Sequence, residues 1–188
     1  NIFHGNLEES PFKDIKFDLI VLNQVIEHIP EPDILLKKLI PKLTNNGVII
    51  ISFPNVNSFW RFLFKERWIN WHVPYHMHHF KGKNFGRLLK KCGFQIIKKN
   101  SITPNIWSLM QIRNILKPIQ IGEKNNQWIS HDSSNKVNKT NKNIFNNLNI
   151  VLKTLIKILI FTPITILNRF IDLFGLGDSL IFFIKVKN

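Results

Sequence analysis

The sequence predicts an α/β fold with a doubly wound sheet. Residues 17–22 and 48–53 are short, continuously apolar runs rich in branched side chains, which is typical of strands buried on both faces. A helical pattern lies between them, so the three segments form a right-handed β-α-β unit. Two later apolar runs, residues 94–98 and 179–186, predict a third strand and a distant last strand.

Turn residues bound the helix of the first unit. Pro30 and Pro32 mark a turn, and Asp33 can cap the helix that follows. Apolar residues at helical spacing over residues 34–43 predict an amphipathic helix. Residues 45–47 (Asn-Asn-Gly) are expected to end it, because the glycine can take the positive φ used at helix C-termini.

The middle of the chain predicts two helices around a loop. Residues 57–65 are expected to form a short helix, and residues 67–79 an aromatic, histidine-rich loop. Residues 84–92 predict a helix that Gly93 ends, because their apolar side chains share one face. A further helix is expected over residues 105–121.

Cys92 is the single cysteine of the chain. One cysteine excludes an intramolecular disulfide and a cysteine-built zinc site. Its apolar helical surroundings predict a buried structural thiol. Residues 1–14 lack the basic and apolar regions of a signal peptide, so a cytoplasmic location is expected. The chain begins at Asn1 rather than Met and reads as the continuation of a longer protein.

A polar stretch and an apolar stretch follow. Residues 123–143 are rich in Asn, Lys and Ser, which indicates a flexible loop or linker. Residues 148–167 approach the length of a bilayer span, but Lys153, Lys157 and Pro163 interrupt them. Three interpretations stay open: a helix or lid packed on the sheet, a peripheral membrane helix at the inner face, or a true span.

The charge of the chain is strongly positive, with a net charge of +14 and a pI of about 10.1. Such a balance can indicate nucleic acid or an anionic membrane as a partner. The basic residues are scattered rather than gathered on one helix face, and no RNA-binding motif is visible, so no nucleic-acid partner is expected. With 44% hydrophobic and 20% charged residues, the composition is globular and excludes disorder throughout.

Ligands of open α/β sheets bind beyond the carboxyl ends of the strands. That rule directs attention to residues 23–28, to residues 53–57 and to the loop at residues 72–79. Their polar side chains are the first candidates for a functional site.

Residues 17–32 (FDLIVLNQVIEHIPEP) resemble the fourth strand and following turn of class I S-adenosylmethionine-dependent methyltransferases, of the ubiquinone-biosynthesis and related small-molecule type. Three more segments resemble the same family in the same order: residues 39–55, residues 76–94 with their H…F…LL…GF pattern, and residues 176–183. The similarity covers residues 1–108 and 175–187.

The resemblance implies a partial Rossmann-like sheet whose N-terminal strands are missing. The family's glycine-rich loop and the acidic residue that holds the ribose hydroxyls are absent from these 188 residues. Residues 1–108 are then the C-terminal part of the methyltransferase core, residues 109–174 a helical and flexible insertion, and residues 175–188 the final strand. S-adenosylmethionine is the implied cofactor, and the fragment alone is expected to bind it poorly.

The resemblance also implies cofactor contacts. Asn6 stands where the family often has an Asp that faces the adenine, in a turn that also holds Leu7. Asn23 and Gln24 end the first predicted strand, where they would border the methionine part of the cofactor. His28 corresponds to a family His at the mouth of the active site, although a turn-stabilising role is an open alternative.

Methyl transfer to a hydroxyl benefits from a general base, and histidine titrates in the useful range. His28, His76 and His79 are the candidate catalytic residues. Candidate substrate contacts are Asn55, Trp71 and Tyr75, with a turn role for Asn55 equally open. Glu27 is interpreted as a structural turn or helix-cap group.

The loop holds four histidines, His72, His76, His78 and His79, so metal binding is a further interpretation. No Cys or Asp stands in the loop, and its aromatic residues suit a substrate lid better, so no metal is expected. The predicted function is O-methylation of a small molecule, a lipid precursor or a sugar. A membrane-associated non-catalytic protein and a basic nucleic-acid-binding module are the alternatives.

Overall fold

The computed structural model describes residues 2–5, 7–12, 14–116 and 150–187. Within these ranges four strands form one sheet in the order β1-β2-β4-β3. The strands are β1 (Phe17–Asn23), β2 (Leu43–Pro54), β3 (Phe94–Ile102) and β4 (Ser179–Val186). β1 and β2 are parallel, whereas β4 runs antiparallel to both β2 and β3. The predicted parallel β-α-β unit and the predicted last strand are therefore confirmed.

Five α-helices accompany the sheet in the described ranges: α1 (Pro32–Leu39), α2 (Phe59–Phe64), α3 (Gly82–Lys91), α4 (Asn105–Leu116) and α5 (Ile150–Leu173). Proline at the first position of α1 has no amide proton to leave unpaired, which favours a helix start there. The predicted loop at residues 123–143 and the C-terminal part of the helix predicted at residues 105–121 lie outside the described residues.

The turn expected at residues 45–47 is wrong. α1 ends at Leu39, and β2 begins at Leu43 and includes Gly47 in extended conformation. A Cβ at Gly47 would lie 2.9 Å from the backbone oxygen of Phe17 and 2.9 Å from Cδ2 of Leu43. The glycine is therefore required by close strand approach, where the β1–β2 register shifts, and not by a positive φ.

The main core lies between the sheet, α1 and α3. Phe53 of β2 is its centre, because its ring packs against Phe80, Phe85 and Phe182 with centroids 5.3, 4.4 and 5.7 Å away. Cys92 is buried at the end of α3 and is a free thiol, as the sequence predicts.

β1 departs from the predicted double-sided burial. Leu19 and Val21 are 52% and 54% exposed, whereas the alternate residues Ile20 and Leu22 pack against the main core. The expectation that both strands are covered on both faces is thus wrong for β1. The reason is that no described residue buries the outer face of the strand.

α5 is joined to α2 and α4 through buried polar side chains. Asn168 of α5 accepts hydrogen bonds from Nε1 of Trp60 (3.1 Å) and from the Ser108 hydroxyl (3.0 Å), and its amide donates to Asn105 (2.9 Å). From residue 159 onwards the helix also exposes apolar residues, namely Leu159, Phe161, Ile166, Leu167, Phe170 and Leu173. Across the described ranges, none of the helices combines the length and the hydropathy that a membrane crossing needs.

Candidate active site

The carboxyl ends of β1 and β2 meet at one edge of the sheet, and polar side chains tie them together. Ser52 of β2 donates its hydroxyl proton to Oδ1 of Asn23. The side-chain amide of Gln24 donates to the hydroxyls of Ser52 (3.3 Å) and Ser179 (3.2 Å). Asn23 and Gln24, expected as cofactor contacts, therefore lie together at the sheet edge that the sequence indicated.

Gln24 turns the backbone away from the sheet. Its φ of 54° lies in the left-handed region, which is uncommon for a residue other than glycine. A short 3₁₀ helix, Ile26–His28, follows and carries Glu27 and His28 to the edge of the sheet. His72 in the facing loop also has a positive φ of 37°. Strained backbone of this kind is concentrated at functional sites.

The loop between α2 and α3 folds back onto this edge because its first residues are anchored on Asp178. Nε1 of Trp68 donates to Oδ1 of Asp178 (2.9 Å), and the side-chain amide of Asn70 donates to Oδ2 (3.3 Å). Further along the loop, the backbone amides of Met77 and His78 donate to the carbonyl of Glu27 at 2.9 and 3.1 Å. The loop is thus held at both ends.

Asp178 is fully buried in the turn that leads into β4. Burial raises the pKa of its carboxyl from 3.8 to about 6, and the nearby Asp172 carboxylate acts in the same direction. Hydrogen bonds from the hydroxyl of Ser58 and the indole of Trp68 favour the charged form and lower the pKa.

The anchored loop brings His76 against His28, with ring centroids 4.7 Å apart. Nδ1 of His28 lies 2.9 Å from the backbone oxygen of Tyr75, and Nδ1 of His76 lies 2.8 Å from that of Asn70. A carbonyl oxygen only accepts, so Nδ1 of each ring carries a proton, and Nε2 is the atom that offers a lone pair when a ring is neutral. Burial lowers the pKa of His76 to about 4, which keeps this ring neutral at pH 7.

A cavity of about 140 Å³ opens beside the two histidines. A water molecule occupies roughly 30 Å³ in the liquid, so the cavity has room for a small polar group. Six residues line it: Gln24, His28, Asn70, His72, His76 and Trp107. Burial also lowers the pKa of His72, with a smaller contribution from His28. The lining is therefore rich in imidazole.

Glu27 lies behind the histidine pair and is fully buried. Neither of its carboxylate oxygens has a hydrogen-bond partner among the residues that the structure describes. Burial raises its pKa, against smaller opposing effects of its own backbone amide and of His28. One ligand atom each of Glu27, His28 and His76 lie within 4.8 Å of one another, so these three residues could hold a metal ion.

The remaining loop candidates lie outside the cavity lining. Nε2 of His79 lies 3.0 Å from the backbone oxygen of Trp71, and the two rings pack with centroids 5.0 Å apart. Nε1 of Trp71 donates to the carbonyl of Lys65 (2.7 Å). Tyr75 is 60% exposed and its ring packs on His72. The geometry therefore assigns His79 and Trp71 to holding the loop together.

Asn55 is almost completely buried, and its amide is engaged in a turn. Its Nδ2 donates to the carbonyl of Gly177 (2.8 Å), and its Oδ1 accepts from the backbone amide of Asn57 (3.0 Å). The geometry favours the turn role over substrate contact. Of the two N-terminal candidates, Asn6 lies outside the described residues, and Leu7 packs against the main core.

Sequence reasoning missed several residues that shape the site. Asp178 reads locally as a turn residue, and nothing near it in the sequence indicates that it anchors a loop more than a hundred positions earlier. Trp107 and Asn70 gave no signal either. The sequence indicates only a turn or helix-cap role for Glu27, because its carboxylate comes near His76 only in the folded chain.

Comparison with known proteins agrees with this geometry. The family model described as a methyltransferase domain matches residues 2–99, more than half of the chain. A protein of Mycolicibacterium smegmatis, named as a probable S-adenosylmethionine-dependent methyltransferase, is 30% identical over 96 residues. That match covers 51% of this chain and 35% of the relative, so the chain spans about a third of the relative's length.

Solved structures of methyltransferases are also similar to this chain. A SAM-dependent methyltransferase from Thermotoga maritima is 22% identical, with a TM-score of 0.43 over 53% of this chain and 47% of that one. A SAM-dependent methyltransferase from Archaeoglobus fulgidus is 15% identical, with a TM-score of 0.45 over 93% and 62% of the two chains. The family model's match over residues 2–99 leads to one conclusion, with which the strand order and the polar edge beyond β1 and β2 are consistent. The chain belongs to the methyltransferase-domain family.

Proposed function

We propose that the protein containing this chain transfers the methyl group of S-adenosylmethionine to an oxygen of a small molecule, a lipid precursor or a sugar. The observation that carries the proposal is the pairing of His28 and His76 beside the carboxyl ends of β1 and β2. Ligands of open α/β sheets bind at that edge. Membership of the methyltransferase-domain family supplies the reaction type.

The edge of the sheet fits one side of the cofactor. Asn23 is exposed there, and Gln24 lines the cavity with its side chain held by two serine hydroxyls. When bound, S-adenosylmethionine supplies an electrophilic methyl carbon on a sulfonium. We assign Asn23 and Gln24 to bordering it, together with Leu7 and, from the sequence alone, Asn6. The fixed positions of Asn23 and Gln24 orient the donor before the acceptor arrives.

His28 and His76 face the acceptor in this proposal. A hydroxyl becomes a better nucleophile as it loses its proton, and an imidazole with a free Nε2 lone pair can accept that proton. Burial keeps His76 neutral at pH 7, so its lone pair is present without a prior deprotonation. Tyr75, exposed on the same loop, is assigned to the outer wall of the acceptor site.

Two organisational proposals accompany this function. β4 lies between β2 and β3 in the sheet, which supports grouping residues 175–188 with residues 1–108 as one core and residues 109–174 as an insertion. The exposed apolar residues of α5 and the net charge of +14 support peripheral contact with an anionic lipid surface. Co-sedimentation with anionic vesicles and not with neutral ones tests that contact, and equal recovery with both would refute it.

Cofactor binding is tested by titrating ¹⁵N-labelled chain with S-adenosylhomocysteine and following backbone amide shifts. We expect shifts at Asn23, Gln24 and His28, and none in the part of β3 next to α3, which lies at the other edge of the sheet. Shifts confined to β3 would contradict the assignment.

The acceptor role is tested by transfer of tritiated methyl from S-adenosylmethionine to matched panels of hydroxylated and aminated small molecules. We expect label in the hydroxylated panel and a loss of at least about 100-fold in His76→Gln. His78→Gln is the matched control, because His78 stands two positions away in the same loop and does not line the cavity. Label in the amines alone would contradict oxygen as the acceptor atom.

A further inference from the structure

The outer face of α3 carries a cationic stripe, formed by Lys83, Arg87, Lys90 and Lys91. These are four of the ten residues of the helix, all four are exposed, and the helix contains no acidic residue. Their spacing of three or four positions places them on one side of α3, because residues so spaced are neighbours on a helix surface. The opposite side is buried in the main core. The expectation that no helix face gathers the basic residues is thus wrong for α3.

The described residues leave the charge of the cationic stripe without acidic partners. Residues 67–122 contain no Asp or Glu, so α3 lies within a long stretch that has no acid of its own. On α1, which contacts α3, Asp33 is already paired with Lys37 (3.5 Å). No ion pair of the described ranges involves α3. Like charges four positions apart destabilise a helix, and an anionic partner would relieve that repulsion.

The cationic stripe continues into a groove of about 700 Å³ at the end of the sheet. Six residues line the groove: Lys90, Phe94, Gln95, Ile96, Lys185 and Lys187. The backbone amide of Lys187 donates to the carbonyl of Gly93 (2.8 Å), which holds the end of β4 beside the end of α3. Because Lys90 belongs to both the stripe and the groove, the two form one continuous basic surface.

We propose that the cationic stripe and the groove bind the phosphate backbone of a single nucleic-acid strand. The stripe extends over eight positions of helix, or about 12 Å, so together with the groove it spans several phosphates. Lysine and arginine neutralise phosphates without regard to the bases. The aromatic ring beside the groove, Phe94, is buried and offers no face on which a base could stack. Binding is therefore independent of base sequence.

An anionic bilayer fits this surface less well than a strand does. A helix that lies on a bilayer buries apolar side chains among the headgroups. The exposed residues of α3, however, are its four cations and Asn84, and the exposed apolar residues lie on α5 instead. A groove also accommodates a strand, whereas lipid headgroups form a plane.

The basic surface is separate from the candidate active site. No residue of α3 lines the cavity beside His28 and His76, and neither do Lys185 and Lys187. The nucleic acid is thus a binding partner and not the methyl acceptor. The proposal goes beyond the proposed function and does not depend on it.

Fluorescence anisotropy with a labelled oligouridine RNA of about 20 nucleotides tests the wild-type chain. We expect binding at low salt that weakens as salt is added. Six phosphate contacts predict a slope of about −4 for the logarithm of the association constant against the logarithm of the salt concentration. A mixed-sequence strand of the same length should bind equally well. Absence of binding at low salt, or binding of one sequence alone, overturns the proposal.

A triple variant, Lys83→Gln with Arg87→Gln and Lys91→Gln, locates the binding surface. We expect it to bind the RNA at least about tenfold more weakly, and the salt slope to become shallower by about 2, since three contacts are lost. Lys83→Arg with Lys91→Arg keeps the charge and should keep the affinity. The substituted side chains are exposed, so thermal unfolding of these variants should match that of the wild type.

The matched control removes the same charge elsewhere, by combining Lys16→Gln, Lys65→Gln and Arg113→Gln at exposed positions outside the basic surface. We expect its RNA affinity to stay within about twofold of the wild type. Equal losses in the two triple variants would mean that net charge alone attracts the RNA, and would overturn the assignment. Loss of binding to phosphatidylglycerol vesicles in the stripe variant, with RNA binding unchanged, would assign the stripe to lipid. None of these readouts involves methyl transfer, so failure of the proposed function is seen separately in the labelling assay.

Discussion

The indole Nε1 of Trp68 donates a hydrogen bond of 2.9 Å to Oδ1 of Asp178, and both residues are buried. The bond joins the beginning of the histidine loop to the turn before β4. Asn70, two positions further along, donates to the other oxygen of the same carboxylate, and its carbonyl accepts from His76. One buried acid therefore sets the position of the loop residue that faces the cavity.

Replacing Asp178 by Asn should change how stability depends on pH. The pKa of this carboxyl is 3.8 in its ordinary state and about 6 in the folded chain, so the folded state keeps a proton that the unfolded state has released. Holding this proton contributes to the free energy of unfolding. The contribution is complete below about pH 4 and is lost as the pH rises to about 6. The side-chain amide of the Asp178→Asn variant stays neutral throughout. Between pH 4 and 7 the free energy of unfolding of the variant should therefore rise by on the order of 3 kcal/mol relative to that of the wild type.

Urea unfolding at several pH values measures this difference. Asp14→Asn, at an exposed position, is the matched control and should track the wild type at every pH. If the free energies of unfolding of Asp178→Asn and the wild type change with pH in parallel, the prediction is wrong. The folded carboxyl then titrates as it does in the unfolded chain.

Trp68→Phe should destabilise the fold in a pH-dependent manner. The variant removes the indole N–H that favours the ionised carboxylate of Asp178, and it leaves a small cavity beside Val56 and Trp60. We expect the free energy of unfolding to fall by about 2–4 kcal/mol at pH 7. The fall should be smaller below pH 5, where Asp178 is protonated. Trp60→Phe is the matched control, because Trp60 donates to the neutral amide of Asn168. Its loss should be the same at both pH values, and equal pH profiles of the two variants would refute the interpretation.

The strands were predictable from the sequence because each is specified by its own residues. Apolar runs at residues 17–22 and 48–53 need no information from elsewhere in the chain. The exposure of Leu19 and Val21 was not predictable, because it depends on what covers the outer face of β1. The role of Gly47 was not predictable for a related reason: glycine is required there by the carbonyl of Phe17, about thirty positions away.

The residues of the site were predictable from the sequence, but their partners were not. The edge-of-sheet rule located Gln24 and His28, and the loop pattern located His76. The partners of these residues were not predictable, because the Glu27–His76 and Trp68–Asp178 pairs join segments that are distant in sequence. A loop with four similar histidines gives no local signal of which one faces the cavity.

Gly47→Ala should destabilise the chain by about 1–3 kcal/mol, since the added methyl meets a backbone oxygen that cannot rotate away. Gly86→Ala is the matched control in α3. There the added Cβ lies 3.4 Å from the end of the Ile96 side chain, and helix propensity favours Ala by up to about 1 kcal/mol. Chemical denaturation of the two variants should give shifts of opposite sign, and a stabilised Gly47→Ala would mean that β1 and β2 are further apart than described.

Asn168→Ala should loosen the docking of α5 while the sheet stays folded. The substitution leaves the indole N–H of Trp60 without its acceptor and removes the bonds to Ser108 and Asn105. Each buried polar group left unpaired costs about 1–3 kcal/mol, so local opening of α5 should become easier by roughly that amount or more.

Hydrogen exchange read by mass spectrometry measures the opening of α5 directly. Amides at the C-terminal end of α5 should exchange faster by at least about tenfold, and those of β2 should not. Ile166→Ala is the control for a neighbouring position, because the Ile166 side chain is exposed and takes no part in this hydrogen-bond network. Equal acceleration in β2 and α5 would show that the helix and the sheet unfold as one unit and that Asn168 does not control a separate docking step.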